Sequence, residues 1–213
     1  MRQTNSSPAK ALAASIGLSL LFVIVYGGCL WITAQRSDVG VFYFAWERGI
    51  PFVPFFILPY LSIDLFFVAA PFLLPDQSGL KLFVRRVAAT IIVSGILFLL
   101  VPLRLAFPQA QAGGWLGALF SWFQGLDRPF NLFPSLHAAL CLLVGQVYAQ
   151  QFRGLVRLAA LCWFVLIALS PLLTHQHQVI DIAGGVAVAG GCFIGIRPKN
   201  SLASAKRPAT SSA

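Results

Sequence analysis

A histidine and an aspartate stand four residues apart near the carboxyl end of the chain, at a spacing that could support nucleophilic chemistry. His177 and Asp181 occur in the stretch SPLLTHQHQVID, where an apolar run begins. On a helix, residues four apart lie on the same face. The carboxylate can keep one imidazole nitrogen protonated and orient the ring, so the other nitrogen is free to act as a nucleophile or base.

A second polar cluster opens an earlier apolar run. Ser135 and His137 lie in the stretch NLFPSLHAALCLL, where Pro134 suits an early helical position. The N-terminus of a helix offers unpaired N–H groups and a positive dipole end, which together bind anions. An arginine such as Arg104 adds forked donors that fit phosphate oxygens. These groups together indicate phosphoryl transfer through a histidine.

The elements that position these residues are predicted to be membrane helices. Of the 213 residues, 58% are hydrophobic and only 10% are charged, whereas a soluble domain carries about 25% charged residues. A helix that crosses a membrane needs about 20 apolar residues. Six runs fit this requirement: Ala11–Ala34, Ile50–Leu74, Val87–Phe107, Phe133–Ala149, Leu155–Leu173 and Val179–Ile196. We therefore expect an all-α fold, a polytopic membrane bundle of six transmembrane helices.

The basic residues set the orientation of this bundle. With the N-terminus inside, eleven basic residues fall in inner segments and four (Arg36, Arg48, Arg104 and Arg128) in outer segments, as the positive-inside rule requires. The net charge of +9 is thus a topology signal and gives no evidence for nucleic-acid binding. We expect a cytoplasmic N-terminus (1–10), a membrane domain (11–197) and a disordered cytoplasmic tail (198–213).

This topology brings the polar clusters to the outer face of a cell (inner) membrane. Arg104 would end the third helix there, and His137, His175 and His177 would share one depth. The predicted site therefore faces outward, toward the periplasm. His175 is a possible accessory group, although the H-x-H pattern also suits a polar turn. Arg104 could instead be an interfacial anchor, and Arg128 could pair with its neighbour Asp127.

Two further features bear on the fold. The segment Gly113–Leu126 has an apolar face with tryptophan, which favours a short interfacial helix, although a packed linker fits the same pattern. Asp64 lies inside the second apolar run, where an ionisable residue is a functional candidate by default. No role is assigned to it.

The motifs resemble those of the type-2 phosphatidic acid phosphatase superfamily, whose pattern is K-x6-R-P, then P-S-G-H, then S-R-x5-H-x3-D. The second motif reads P-S-L-H at residues 134–137, and the third reads S-P-x5-H-x3-D at residues 170–181. The resemblance implies that His177 is the nucleophile that becomes phosphohistidine and that Asp181 orients it. It also implies that His137 protonates the leaving group and that Ser135 binds phosphate. No cofactor or metal is expected.

The chain departs from the superfamily pattern at three places. Leu136 replaces the glycine of the second motif, and Pro171 replaces the phosphate-binding arginine of the third. The first motif lacks its lysine, and two stretches compete for it, PLRLAFP with Arg104 and DRPF with Arg128. The P-S-L-H form resembles the branch that includes inositol phosphorylceramide synthases and bacterial phosphatase-like relatives.

Three classes of function remain open. The first is a membrane phosphatase that hydrolyses a lipid-linked phosphate ester, with a phosphorylated lipid of the bilayer as substrate. The second is a phosphotransferase that uses the same phosphohistidine logic and passes the group to an alcohol or lipid acceptor. The third is a non-catalytic or metal-binding membrane protein with the histidines and Asp181 as ligands. The scarcity of further carboxylates near these histidines counts against the third class.

Overall fold

The computed structural model describes residues 7–108 and 111–198, and this part of the chain is helical with no β-strand. The helices are α1 (Pro8–Thr33), α2 (Ile57–Ala69), α3 (Gln77–Leu100), α4 (Gly114–Leu126), α5 (Leu136–Gln151), α6 (Gly154–Leu173) and α7 (Val179–Gly195). The all-α prediction is confirmed. Nearly all of the predicted disordered tail lies outside the described residues.

Four helical stretches in the described part of the chain are long and apolar enough to cross a membrane: Pro8–Thr33, Pro54–Leu73, Gln77–Leu100 and Gly154–Leu173. The stretch Pro54–Leu73 consists of α2 and a 3-10 turn at each end of that helix. Large apolar side chains cover the outside of the bundle, among them Trp31 at 69% exposure and Leu155 at 83%. Such a surface suits lipid as the surrounding solvent. The protein is therefore an embedded membrane protein.

The predicted bounds of the third helix were wrong at both ends. Helix α3 begins at Gln77, because Asp76 caps it by accepting the Gly79 N–H at 2.7 Å. The helix ends at Leu100 because Pro102 follows, and a residue that precedes proline is disfavoured in helical conformation. Arg104 therefore does not end this helix. It lies in an extended segment, where its N–H donates to the Gly40 carbonyl at 2.9 Å.

Helix α5 is the centre of the bundle. It contacts α2, α3, α6 and α7, and nine of its residues are buried. Most of its residues are apolar, as expected of a helix that packs against several others. The N-terminus of α5, which carries His137, is therefore held by packing from several directions.

Helices α5 and α7 meet without a side chain between them at one point. Gly185 of α7 faces the backbone of Ser135, and a Cβ atom at position 185 would overlap the Ser135 carbonyl oxygen. The Ser135 N–H also donates to the Asp181 carbonyl at 2.8 Å. This close approach places the first turn of α5 beside the first turn of α7.

The close approach predicts that Gly185→Ala will destabilise the bundle. The new methyl group must push α7 away from α5, and such overpacking typically costs about 1–3 kcal/mol. The melting temperature of the purified protein in detergent should fall. Gly190→Ala, in the same helix with nothing within 4 Å of the added carbon, is the matched control. Equal melting temperatures for the two variants would contradict the prediction.

Candidate active site

The predicted histidines meet at a cavity of about 480 Å³ that lies between α1, α2, α4 and α5. His137 and His177 both line it. The other polar lining residues are Tyr26, Tyr60, Asp64, Asp127 and Asn131, and the remaining lining is apolar or glycine. The cavity therefore combines titratable groups with an apolar wall.

His177 is backed by a fully buried carboxylate. Its Nδ1 lies 3.6 Å from Oδ2 of Asp181, and their side chains are 9% and 0% exposed. This distance exceeds that of a hydrogen bond, yet Nδ1 has no other partner among the described residues. The same Oδ2 accepts the Gln178 N–H at 2.8 Å. His177 lies in the turn two residues before α7, and Asp181 lies in the first turn of that helix. The carboxylate therefore lies behind Nδ1 and leaves Nε2 as the nitrogen that does not face it.

His137 lies in the first turn of α5, and its ring is fixed on two sides. Nε2 lies 3.2 Å from the Ile167 carbonyl oxygen, and the ring stacks on Tyr60 with 4.4 Å between centroids. A carbonyl oxygen can only accept, so Nε2 carries the proton of this hydrogen bond. Nδ1 is then the nitrogen that can exchange a proton with a ligand in the cavity.

Ser135 caps α5 and does not face the cavity. It is fully buried and is the N-cap of α5, where its Oγ accepts the Ala138 N–H at 3.2 Å. Its own N–H is the group that donates to Asp181, as described above. Ser135 does not line the cavity; it lies behind the cavity, at the contact between α5 and α7.

The structure does not bring the remaining predicted residues to the cavity lining. Arg104 and Arg128 are both exposed and outside it. His175 adopts a positive φ of 54°, and its Nε2 bonds the Ile50 carbonyl at 3.0 Å. His175 therefore ties the turn before α7 to the segment before α2.

The electrostatics of the lining are acidic. Among the described residues, the cavity lining has two carboxylates, Asp64 and Asp127, and no arginine or lysine. Asp127 accepts the Tyr26 hydroxyl at 2.6 Å. Burial raises the pKa of Asp127, while the Tyr26 hydroxyl and His177 act in the opposite direction. No group of three His, Cys, Asp or Glu side chains within residues 7–108 and 111–198 is arranged to hold a metal ion.

Glu47 is a positioning residue that the sequence analysis missed. It is 3% exposed, and its Oε2 accepts the Val179 N–H at 2.9 Å, while Oε1 accepts the Phe44 N–H at 2.8 Å. A negative charge at a helix N-terminus is stabilised by the helix dipole. Glu47 thereby holds the start of α7 beside His177. The sequence offered one signal for it: acidic residues are rare in this chain, which has only six.

An all-helical membrane bundle with a histidine–aspartate pair and a second histidine at one cavity defines the class of this protein. Residues 52–195 match the family model of the PAP2 superfamily, which covers more than half of the chain. The chain therefore belongs to the PAP2 superfamily, and its membership indicates phosphatase-type activity in a membrane protein. No curated protein and no solved structure matches it significantly.

The contact of Glu47 with α7 predicts a loss of stability in Glu47→Ala. A hydrogen bond to a charged group contributes about 1.5–3 kcal/mol, and this variant removes two of them. We expect a lower melting temperature and lower activity. Asp38→Ala is the control, since its carboxylate is 65% exposed and pairs with the nearby Arg36. A melting temperature of Glu47→Ala as high as that of Asp38→Ala would show that the capping contact contributes nothing.

Proposed function

We propose that this protein hydrolyses a lipid-linked phosphate ester at the outer face of the membrane through a phosphohistidine intermediate. The observation that carries the proposal is the presence of His137 and His177 at one cavity, with Asp181 behind His177. Two imidazoles with different partners are suited to different roles, one as nucleophile and the other as proton donor.

In the proposed mechanism, Nε2 of His177 attacks the phosphorus atom. Nδ1 of His137 first takes the proton that the bound phosphate monoester carries. The bond between phosphorus and the lipid oxygen then breaks, and that oxygen takes the proton from Nδ1. Water next attacks the phosphohistidine and passes a proton through Nδ1 of His137 to the departing phosphate, which restores both histidines. The charge of Asp181 stabilises the His177 ring as it becomes positively charged.

The walls of the cavity support a lipid substrate. Its apolar lining includes Phe22, Leu30 and Leu126, which can contact an acyl chain or the glycerol region of a lipid. The phosphate itself would lie near the histidines, beside the N-terminus of α5. That helix end contributes positive potential where the lining has no cationic side chain. Ser135 would serve there as the cap of this helix. Arg104 and Arg128 would bind the phosphate only if the segment that carries them moved toward the cavity.

The orientation of the site is also part of the proposal. Helices α5 and α7, with 16 and 17 residues, would complete six crossings together with the four longer spans. An even number of crossings puts both termini on one side, and the excess of basic residues makes that side cytoplasmic.

This topology predicts that a reporter fused to the C-terminus will be cytoplasmic and that one inserted after Gly113 will be external. Paired fusions to a phosphatase active only outside and a fluorescent protein active only inside would measure this. An external C-terminus would overturn both the crossing count and the outward placement of the site.

A phosphotransferase is the second candidate, and the acidic lining favours it. Asp64 and Asp127 can accept hydrogen bonds from the hydroxyl groups of an alcohol, which could replace water in the second step. Product analysis of the purified protein with phosphorylated lipids, with and without added glycerol or inositol, separates the two. A phosphorylated alcohol among the products would identify transfer.

The distinct roles predict a distinct response to each substitution. His177→Ala should abolish turnover of every ester, because no covalent intermediate can form. His137→Ala should lose about 100-fold or more on an alkyl phosphate but less on an aryl phosphate, whose phenol leaves without a proton. Asp181→Asn should keep substrate binding and lower the chemical rate.

His175→Gln is the matched control for these variants, because His175 lies in the same turn and outside the cavity lining. It should retain most of the wild-type rate on both esters. Wild-type activity in His177→Ala would remove the phosphohistidine mechanism.

A further inference from the structure

Helix α6 contains a proline in its last turn, next to the candidate site. Pro171 is buried and lies two residues before the end of the helix at Leu173. Proline has no N–H, so it cannot make the helical hydrogen bond to the carbonyl four residues earlier. The carbonyl that loses its helical partner is that of Ile167.

The Ile167 carbonyl is used by two side chains instead. It accepts the Ser170 hydroxyl at 2.7 Å and lies 3.2 Å from Nε2 of His137. A carbonyl oxygen has two lone pairs, which these two donors fill. An amide N–H at position 171 would compete with His137 for the same oxygen.

The carbonyl of Pro171 itself holds the other histidine. It accepts the N–H of Gln176 at 2.8 Å and the N–H of His177 at 3.1 Å. The same residue therefore supports both sides of the site. Its missing N–H makes room for His137, and its carbonyl fixes the backbone of His177.

We propose that Pro171 is a positioning residue that holds His137 in the tautomer with the proton on Nε2 and so presents Nδ1 to the cavity. It occupies the position at which the superfamily pattern has a phosphate-binding arginine. In this chain, that position would order the two histidines and would not bind the substrate. The effect of Pro171 on turnover rests on the function proposed above, whereas its effect on the tautomer does not.

The tautomer can be measured directly by nitrogen NMR of the protein labelled with ¹⁵N-histidine. In the wild type at neutral pH, the His137 resonances should report a protonated Nε2 and a bare Nδ1. The spectrum of His137→Gln identifies those resonances by their loss. A wild-type His137 with the proton on Nδ1 would overturn the proposal without any variant at position 171.

The decisive variant is Pro171→Ala, which adds an N–H that can bond the Ile167 carbonyl. We expect the His137 resonances to shift toward a mixture of tautomers. Ser170→Ala, which frees the same carbonyl without adding a donor, should keep the wild-type tautomer. Pro71→Ala removes another buried proline, which lies outside the cavity lining, and should also leave His137 unchanged. An unchanged His137 spectrum in a folded Pro171→Ala protein would refute the proposal.

Kinetics test the same inference through the leaving group. Pro171→Ala should lose about 10-fold to 100-fold on an alkyl phosphate, since a small misplacement of a catalytic group has effects of this order. It should lose less on an aryl phosphate. In a protein that already carries His137→Ala, adding Pro171→Ala should leave the ratio of the alkyl phosphate rate to the aryl phosphate rate unchanged. An equal loss on both esters would assign Pro171 a merely structural role.

The two sets of measurements separate the failure of this inference from failure of the proposed function. If the wild type hydrolyses no phosphate ester but the His137 tautomer shifts in Pro171→Ala, the positioning role of Pro171 is supported and the proposed phosphatase activity is refuted. If the wild type is active and the His137 tautomer does not change in Pro171→Ala, the phosphatase activity is supported and the positioning role is refuted.

Discussion

The contact between the first turns of α5 and α7 is the constraint on which the rest of the site depends. Gly185 lets the two backbones touch, and the Ser135 N–H donates to the Asp181 carbonyl at 2.8 Å across the contact. Because His137 lies in the first turn of α5 and His177 lies two residues before α7, this docking places both at one cavity. A larger residue at position 185 would separate the elements that hold His137 and His177.

Backbone carbonyls and N–H groups position most of the polar side chains around this contact. Glu47 accepts an N–H of α7, His137 contacts a carbonyl of α6, and Asn131 donates to the Tyr26 carbonyl of α1 at 2.9 Å. Buried polar groups are costly in an apolar bundle unless they are paired. Each of these pairings therefore stabilises the bundle and also fixes the geometry of the site.

The cavity has an unusual charge balance for the phosphoryl transfer that we propose. Within the described residues, its lining offers two carboxylates and two histidines but no arginine or lysine. Pro171 occupies the position of one cation in the superfamily pattern, and Arg104 lies outside the lining. The peptide dipoles at the start of α5 can supply positive potential to an anionic group in the cavity. Asp64 and Asp127 are the groups that can favour a ligand with hydroxyl donors.

The sequence by itself determined the helical class, most helix bounds and the pairing of His177 with Asp181. These features depend on local geometry, namely the apolar length of a span and the i, i+4 spacing. The place of Arg104 could not be derived in this way, because the chain turns away after Pro102 and pairs with Gly40. Only the tertiary structure showed that Glu47 reaches Val179 across 132 residues and that Ile167 faces His137. Such contacts depend on how whole helices pack, and neither hydrophobic periodicity nor motif spacing encodes which backbone group a distant side chain will meet.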